Sequence, residues 1–174
     1  MFKELYYKSL KLAGHKSSKF FLGLISFIES FIFPIPPDVL IIPMTIAKRK
    51  EWLKIALIAT VCSVLGACLG YIIGYIFFNE IGVKIFELYG VDNTSFLKEK
   101  VSSEGGTVAW MTLLAIAGFS PVPFKLLTIT SGFVHFNFLY FVIVSLITRG
   151  FRFFIIAFLI GNFGTTMKKI IEKK

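Results

Sequence analysis

Phe27-Ile28-Glu29-Ser30-Phe31-Ile32-Phe33-Pro34-Ile35-Pro36-Pro37-Asp38 is an apolar run cornered by three prolines and closed by a carboxylate. Proline has no backbone donor and pushes its predecessor out of the α region, so the low-charge stretch around it, 20–47, is not one uninterrupted helix. The device recurs 87 residues later as Pro121-Val122-Pro123-Phe124-Lys125, inside a second low-charge stretch, 107–134. At that offset Pro34 matches Pro121, Ile35 matches Val122, Pro36 matches Pro123, Asp38 matches Lys125 and Ile42 matches Ile129. Each broken stretch is followed by a short loop and an unbroken apolar run, 54–78 and 138–164. The pattern is that of an internal repeat, a broken segment followed by a span.

The 174 residues are 56% hydrophobic, 17% aromatic and 17% charged, too little polar surface to solvate a globule of this size. Each of the four stretches exceeds the roughly 20 residues that cross a bilayer. The expected class is therefore an all-α integral membrane protein with several passes. Segment 54–78 carries Gly66, Gly70 and Gly74 at four-residue spacing, a stripe on which membrane helices approach closely.

Charge placement decides how the broken stretches lie. The segment 1–19 holds five lysines against one glutamate, in a pattern suited to an amphipathic helix on an anionic surface or to a solvated leader. Loop 48–54 and tail 165–174 each hold four basic residues against one acid, whereas linker 79–106 holds three against five. If all four stretches crossed, loop 48–54 would face away from both termini and the acidic linker would be cytoplasmic, against the positive-inside rule. If 20–47 and 107–134 are hairpins that enter and leave on one face, both termini and loop 48–54 are cytoplasmic. The linker and the neutral His135-Phe136-Asn137 turn then lie outside. The hairpin arms, 20–33 and 38–47, are about 21 and 15 Å long as helices and reach the midplane only. Irregular backbone at that depth needs burial in protein or a wet cavity, so the two proline tips imply a cavity between them.

Five ionisable residues fall inside the apolar stretches: Glu29, Asp38, Lys125, Arg149 and Arg152. Each costs about 2.5–3.5 kcal/mol to insert at the bilayer centre, so they are expected to converge. Arg149 and Arg152 share a helix face one turn apart, with Gly150 expected to admit a close backbone approach. Two acids neutralise two of the three bases, and the remaining positive charge suits an anion, for which paired guanidinium groups match phosphate oxygens. Half-helix N-termini at Pro34, Pro36, Pro37, Pro121 and Pro123 would add backbone N–H groups. Glu29 and Asp38, in low dielectric beside arginines, suit proton coupling. The bland alternative is a set of ion pairs that only hold the repeats together.

Other functions find little support. The basic residues sit mostly at the ends of apolar stretches, which argues against nucleic acid. Cys62 and Cys68 are read as small packing residues, and His15 and His135 are isolated, so no metal or cofactor is called for. No hydrolase, zinc-protease or P-loop motif occurs, and Ser120 or Ser131 lacks a base, so the chain is not read as an enzyme. The first apolar run starts at Phe20 and exceeds a secretory h-region, so no cleaved leader is expected.

The run Phe27 to Asp38, with Gly118-Phe119-Ser120-Pro121-Val122-Pro123-Phe124-Lys125, Thr130-Ser131-Gly132 and Arg149-Gly150-Phe151-Arg152-Phe153, resembles the DedA (VTT-domain) membrane proteins, specifically their shorter YqaA-like branch, over residues 20–164. The resemblance implies re-entrant hairpins in inverted repeats and a bacterial or archaeal inner-membrane transporter driven by the proton gradient. Members return undecaprenyl phosphate across the membrane, and eukaryotic relatives scramble phospholipids. By position, Glu29 and Asp38 match the family's membrane acids, and Arg149 and Arg152 its basic pair. The expected organisation is an amphipathic helix 1–19, repeat one 20–78, external linker 79–106, repeat two 107–164 and a basic cytoplasmic tail 165–174. The expected function is proton-driven translocation of a lipid phosphate, its partners being membrane lipids, protons and a possible second copy of the chain. Arg149, Arg152 and Lys125 would hold the head group. A small-ion or drug exchanger and a non-transporting scaffold are the alternatives.

Overall fold

A computed structural model describes residues 17–31, 36–77, 101, 103–119 and 124–172. Every described element is helical: α1 (Ser18–Glu29), α2 (Asp38–Ala47), a 3-10 turn (Arg49–Glu51), α3 (Trp52–Phe77), α4 (Glu104–Phe119), α5 (Phe124–Phe133) and α6 (Phe138–Glu172). The expected amphipathic helix, nearly all of linker 79–106, and Pro34, Pro121 and Pro123 lie outside the described residues. Of the first tip, Pro36 and Pro37 are described. Pro37 caps α2, its carbonyl accepting from Leu40 and Ile41 at 2.9 and 3.0 Å.

Among the described residues two helical stretches, Arg49–Phe77 and Phe138–Asn162, are long and apolar enough to cross a bilayer. The other four helices have 10 to 16 residues, about 15 to 24 Å of rise, and fall short of a 30 Å hydrocarbon core. Local signals explain the ends. Ser103 Oγ accepts from the Gly106 amide at 3.2 Å to start α4. Asn137 Oδ1 accepts from Leu139 and Tyr140 to start α6. Between α5 and α6, His135 takes a left-handed conformation, φ 56°, and its amide donates to the Gly132 carbonyl. The backbone of α6 stays helical to Glu172, beyond the apolar run 138–164. No proline interrupts that stretch, and Gly161 and Gly164 alone do not end a helix.

The two long helices pack on each other, and each takes one short helix from either half of the chain. Helix α3 packs against α1 and α5, and α6 packs against α4 and α2. The glycine stripe makes the first set possible. A Cβ at Gly66 would strike the Phe27 carbonyl of α1, and one at Gly74 would strike the Ile129 carbonyl of α5. A Cβ at Gly132 of α5 would in turn strike the Tyr71 carbonyl. Gly150 corrects the sequence expectation: a Cβ there would meet only Thr60 Cγ2 at 3.4 Å, an ordinary contact, so close backbone approach is not its role.

Polarity is distributed opposite to what water imposes. Phe20, Leu139 and Ile147 are 69%, 64% and 61% exposed, while Ser26, Ser63 and Thr128 are fully buried. Large apolar side chains exposed on every described α-helix, over an interior that holds buried hydroxyls, suit lipid as the surrounding solvent. At one end Lys19 of α1 pairs with Glu51 of the 3-10 turn, tying the start of α1 to the connection between α2 and α3.

The seats on α3 have a measurable consequence. Gly74→Val forces helices α3 and α5 apart and is expected to cost about 1–3 kcal/mol or more, as overpacking does, seen as a lower thermal midpoint in detergent. Gly105→Ala, where a Cβ meets nothing within 4 Å, should leave the midpoint unchanged.

Candidate functional site

Four of the five ionisable residues singled out in the sequence meet as two ion pairs. Arg149 Nη2 donates to Glu29 Oε2 at 2.7 Å, and Arg152 Nη2 donates to Asp38 Oδ2. Both arginines come from the middle of α6, and the carboxylates come from the facing ends of α1 and α2. Asp38 is the first residue of α2, where the helix dipole favours an anion. Glu29 is the last residue of α1, where the dipole opposes one, so its stability rests on Arg149. With α1 ending at Glu29 and Pro37 capping α2, both acids meet the arginines in the middle of α6.

The two pairs differ in burial. The Arg149 and Glu29 side chains are 2% and 17% exposed, and those of Arg152 and Asp38 are 17% and 18% exposed. The Arg149 guanidinium also lies over the Phe124 ring at 4.5 Å to the centroid, and 5.7 Å from that of Phe153. One cation therefore touches α1, α5 and its own helix. Lys125, the fifth residue, is half-buried in the first turn of α5, next to Phe124. Its carbonyl accepts from Thr128 Oγ1 at 2.8 Å.

Residues that the charge argument missed hold the pairs in place. Ser30 Oγ lies 3.0 Å from the Ser26 carbonyl, 2.9 Å from Ser63 Oγ of α3 and 3.4 Å from Arg149 Nη2. A hydroxyl has one proton and two lone pairs, so Ser30 donates to Ser26 and accepts from Ser63 and Arg149. Its capacity is full. The Ser30 carbonyl shares the hydroxyl proton of Thr128 of α5, at 3.1 Å from Oγ1, with the Lys125 carbonyl. Ser30 thereby joins α1, α3, α5 and α6 at the level of the charges. A sequence signal existed for Ser63, which lies one turn before Gly66 on the small-residue stripe, but none distinguished Thr128 from other hydroxyls.

Two polar atoms of the site, Arg149 Nε and Asp38 Oδ1, are buried without a hydrogen-bond partner among the described residues. A buried donor and a buried acceptor of this kind can bind water or a small polar group. Ser131 has a structural explanation: it donates to the Leu127 carbonyl and accepts from Trp110 Nε1 at 2.9 Å. Ser120 and His15 lie outside the described residues, and among those described no three His, Cys, Asp or Glu side chains gather as metal ligands.

The Glu29–Arg149 pair is open to a double-mutant cycle. Glu29→Leu leaves a buried guanidinium uncompensated and is expected to cost about 3–5 kcal/mol of stability in detergent. Adding Arg149→Met should recover most of that loss. A double variant as unstable as the single one would mean that the two charges do not depend on each other.

Residues 35–162 match the VTT domain, about three quarters of the chain. The chain is 32% identical over 177 residues to an uncharacterized protein of Haemophilus influenzae, covering 99% of this chain and 89% of that protein. It is 33% identical over 187 residues to an uncharacterized protein of Histophilus somni, covering 99% and 90%. No solved structure matches the chain. The matched span contains Asp38, Lys125, Arg149 and Arg152 and both long apolar helices, and the chain belongs to the VTT-domain (DedA) family of membrane proteins.

Proposed function

We propose that this protein is a proton-driven translocase of lipid phosphates, undecaprenyl phosphate or phospholipid head groups, in a bacterial or archaeal inner membrane. The observation that carries the reading is the pair of guanidinium groups in the interior, each held by a carboxylate from a different short helix. The anionic oxygens of a phosphate can take the places on Arg149 and Arg152 that one carboxylate oxygen each now occupies. Lys125, at the start of α5, would add a third cation.

The pairing suggests how anion and proton are linked. A head group that engages the arginines displaces Glu29 and Asp38 from them. A carboxylate that loses its cation in a low-dielectric interior binds a proton, taken from whichever face the site then reaches. When the phosphate leaves, the carboxylates release their protons and re-form the ion pairs. The lipid tail stays in the bilayer throughout.

The architecture fits alternating access. In this reading 20–47 and 107–134 are re-entrant hairpins of two inverted repeats, with 1–19, loop 48–54 and tail 165–174 cytoplasmic and linker 79–106 external. Two observations support it: the four short helices are too short to span, and the packing of α3 on α1 and α5 is repeated when the halves are exchanged, as α6 on α4 and α2. A rival reading, a non-transporting scaffold, is favoured by the closure of both ion pairs.

Liposome assays separate these readings. Arg149→Ala and Arg152→Ala should insert normally yet abolish translocation of labelled polyprenyl phosphate or phospholipid. Asp38→Asn should remove the dependence on a proton gradient. If lipid stays put while protons exchange for cations, the protein is an exchanger. If replacing Arg152 and Asp38 together by leucine preserves its cellular role, it is a scaffold. A cysteine placed at Lys50 should react with impermeant reagents only from the cytoplasmic face, and reaction from outside overturns the topology.

A further inference from the structure

Among the described residues the buried apolar side chains gather in two clusters, and along α3 and α6 the ion-pair layer falls between them. The first gathers Leu22 of α1, Ile41 and Met44 of α2, Ile55 and Ala59 of α3, and Phe153 of α6. The second gathers Ala67 and Tyr71 of α3, Leu114 of α4, Phe124 of α5, and Phe136 and Phe141 around the start of α6. Along α3 the order is Ala59, then the site residue Ser63, then Ala67. Along α6 it is Phe141, then Arg149, then Phe153. The first cluster thus closes the site toward loop 48–54, and the second closes it toward the turn at 135–137.

One aromatic ring from each cluster reaches the Arg149 guanidinium. Phe124, in the second cluster, is 2% exposed, and Phe153, in the first, is fully buried. The cation touches both rings, at 4.5 and 5.7 Å to their centroids. On the side of each cluster lies a fully buried hydroxyl without a partner among the described residues. Ser26 is one turn from Ser30 on the side of the first cluster, and Ser145 is one turn from Arg149 on the side of the second. An unsatisfied buried hydroxyl is explained if water reaches it in another state of the protein.

We propose that Phe124 and Phe153 are the two gates of the charged layer, Phe124 toward the face of the 135–137 turn and Phe153 toward the face of loop 48–54. In the closed state both rings cap the Arg149 guanidinium. Loss of the Arg149–Glu29 contact frees the cation to leave one ring, and the cluster behind that ring then admits water. The two carboxylates reach one face at a time because each ring belongs to a different cluster. The inference rests on reading the layer as a site reached from both faces, but not on the identity of the lipid.

Ser63→Cys, made together with Cys62→Ala and Cys68→Ala, puts a single thiol midway between the clusters. The full-length protein in oriented vesicles is labelled from each face with a membrane-impermeant cationic methanethiosulfonate. The parent should react slowly from both faces. Adding Phe124→Ala should speed labelling about tenfold or more from the face of the 135–137 turn, and Phe153→Ala should do so from the face of loop 48–54, the latter fixed independently by a cysteine at Lys50. Phe124→Leu and Phe153→Leu, which keep most of the plug, should stay near the parent rate. Acceleration from the same face in both alanine variants, from both faces in either one, or in neither overturns the proposal. The assay needs no substrate. If Arg149→Ala leaves lipid translocation intact, the transport reading fails while opposite-sided labelling still upholds the gates.

Discussion

A guanidinium sealed inside an apolar bundle dictates its surroundings. Arg149 is 1% exposed, and its permanent charge is tolerable there only where other groups replace the water it has lost. Glu29 supplies the counter-charge, Ser30 a further acceptor, and Phe124 and Phe153 the electron-rich ring faces. These partners come from three helices far apart in sequence. Meeting the needs of this one cation therefore fixes where α1 and α5 stop and start against α6.

The prolines and glycines serve the same constraint from the backbone. Ending α1 at Glu29 and starting α2 at Asp38 presents two carboxylates at the depth of the arginines, which an unbroken helix could not do. The glycine seats on α3 let α1 and α5 approach until main chain meets main chain, close enough for the Ser30–Ser63 and Thr128–Ser30 hydrogen bonds to form. With the apolar side chains turned outward, packing of this kind rather than expulsion of water holds the helices together.

Much of this was legible because bilayers punish exceptions. Five charges and two proline corners stand out against an apolar background, and the two acids and two arginines found one another as charge neutrality requires. The finer pairing, Glu29 with Arg149 and Asp38 with Arg152, depended on helix rotation, which charge alone does not set. Ser30, Ser63 and Thr128 were less visible, since buried hydroxyls are common in membrane helices and any of them satisfies itself on its own backbone, as Thr60 does. Gly150 was misread for a related reason: a glycine between two arginines suggests close approach, yet its neighbour across the interface is a methyl group of Thr60. Helix α6 runs on to Glu172, past the apolar run, because a charge-rich tail signals the end of the hydrocarbon and not the end of the helix.

The order in which the chain is made gives the ion pairs another meaning. Glu29 and Arg149 are 120 residues apart, and Asp38 and Arg152 are 114 apart, with the arginines on the last helix. At about 5–20 residues per second, roughly 6–24 s of synthesis separate each acid from its counter-charge. Through that interval Arg149 and Arg152 do not yet exist to meet the two carboxylates, which cost less to keep near the lipid head groups than in the hydrocarbon. A chain that ends before α6 lacks both counter-charges and leaves its two acids uncompensated.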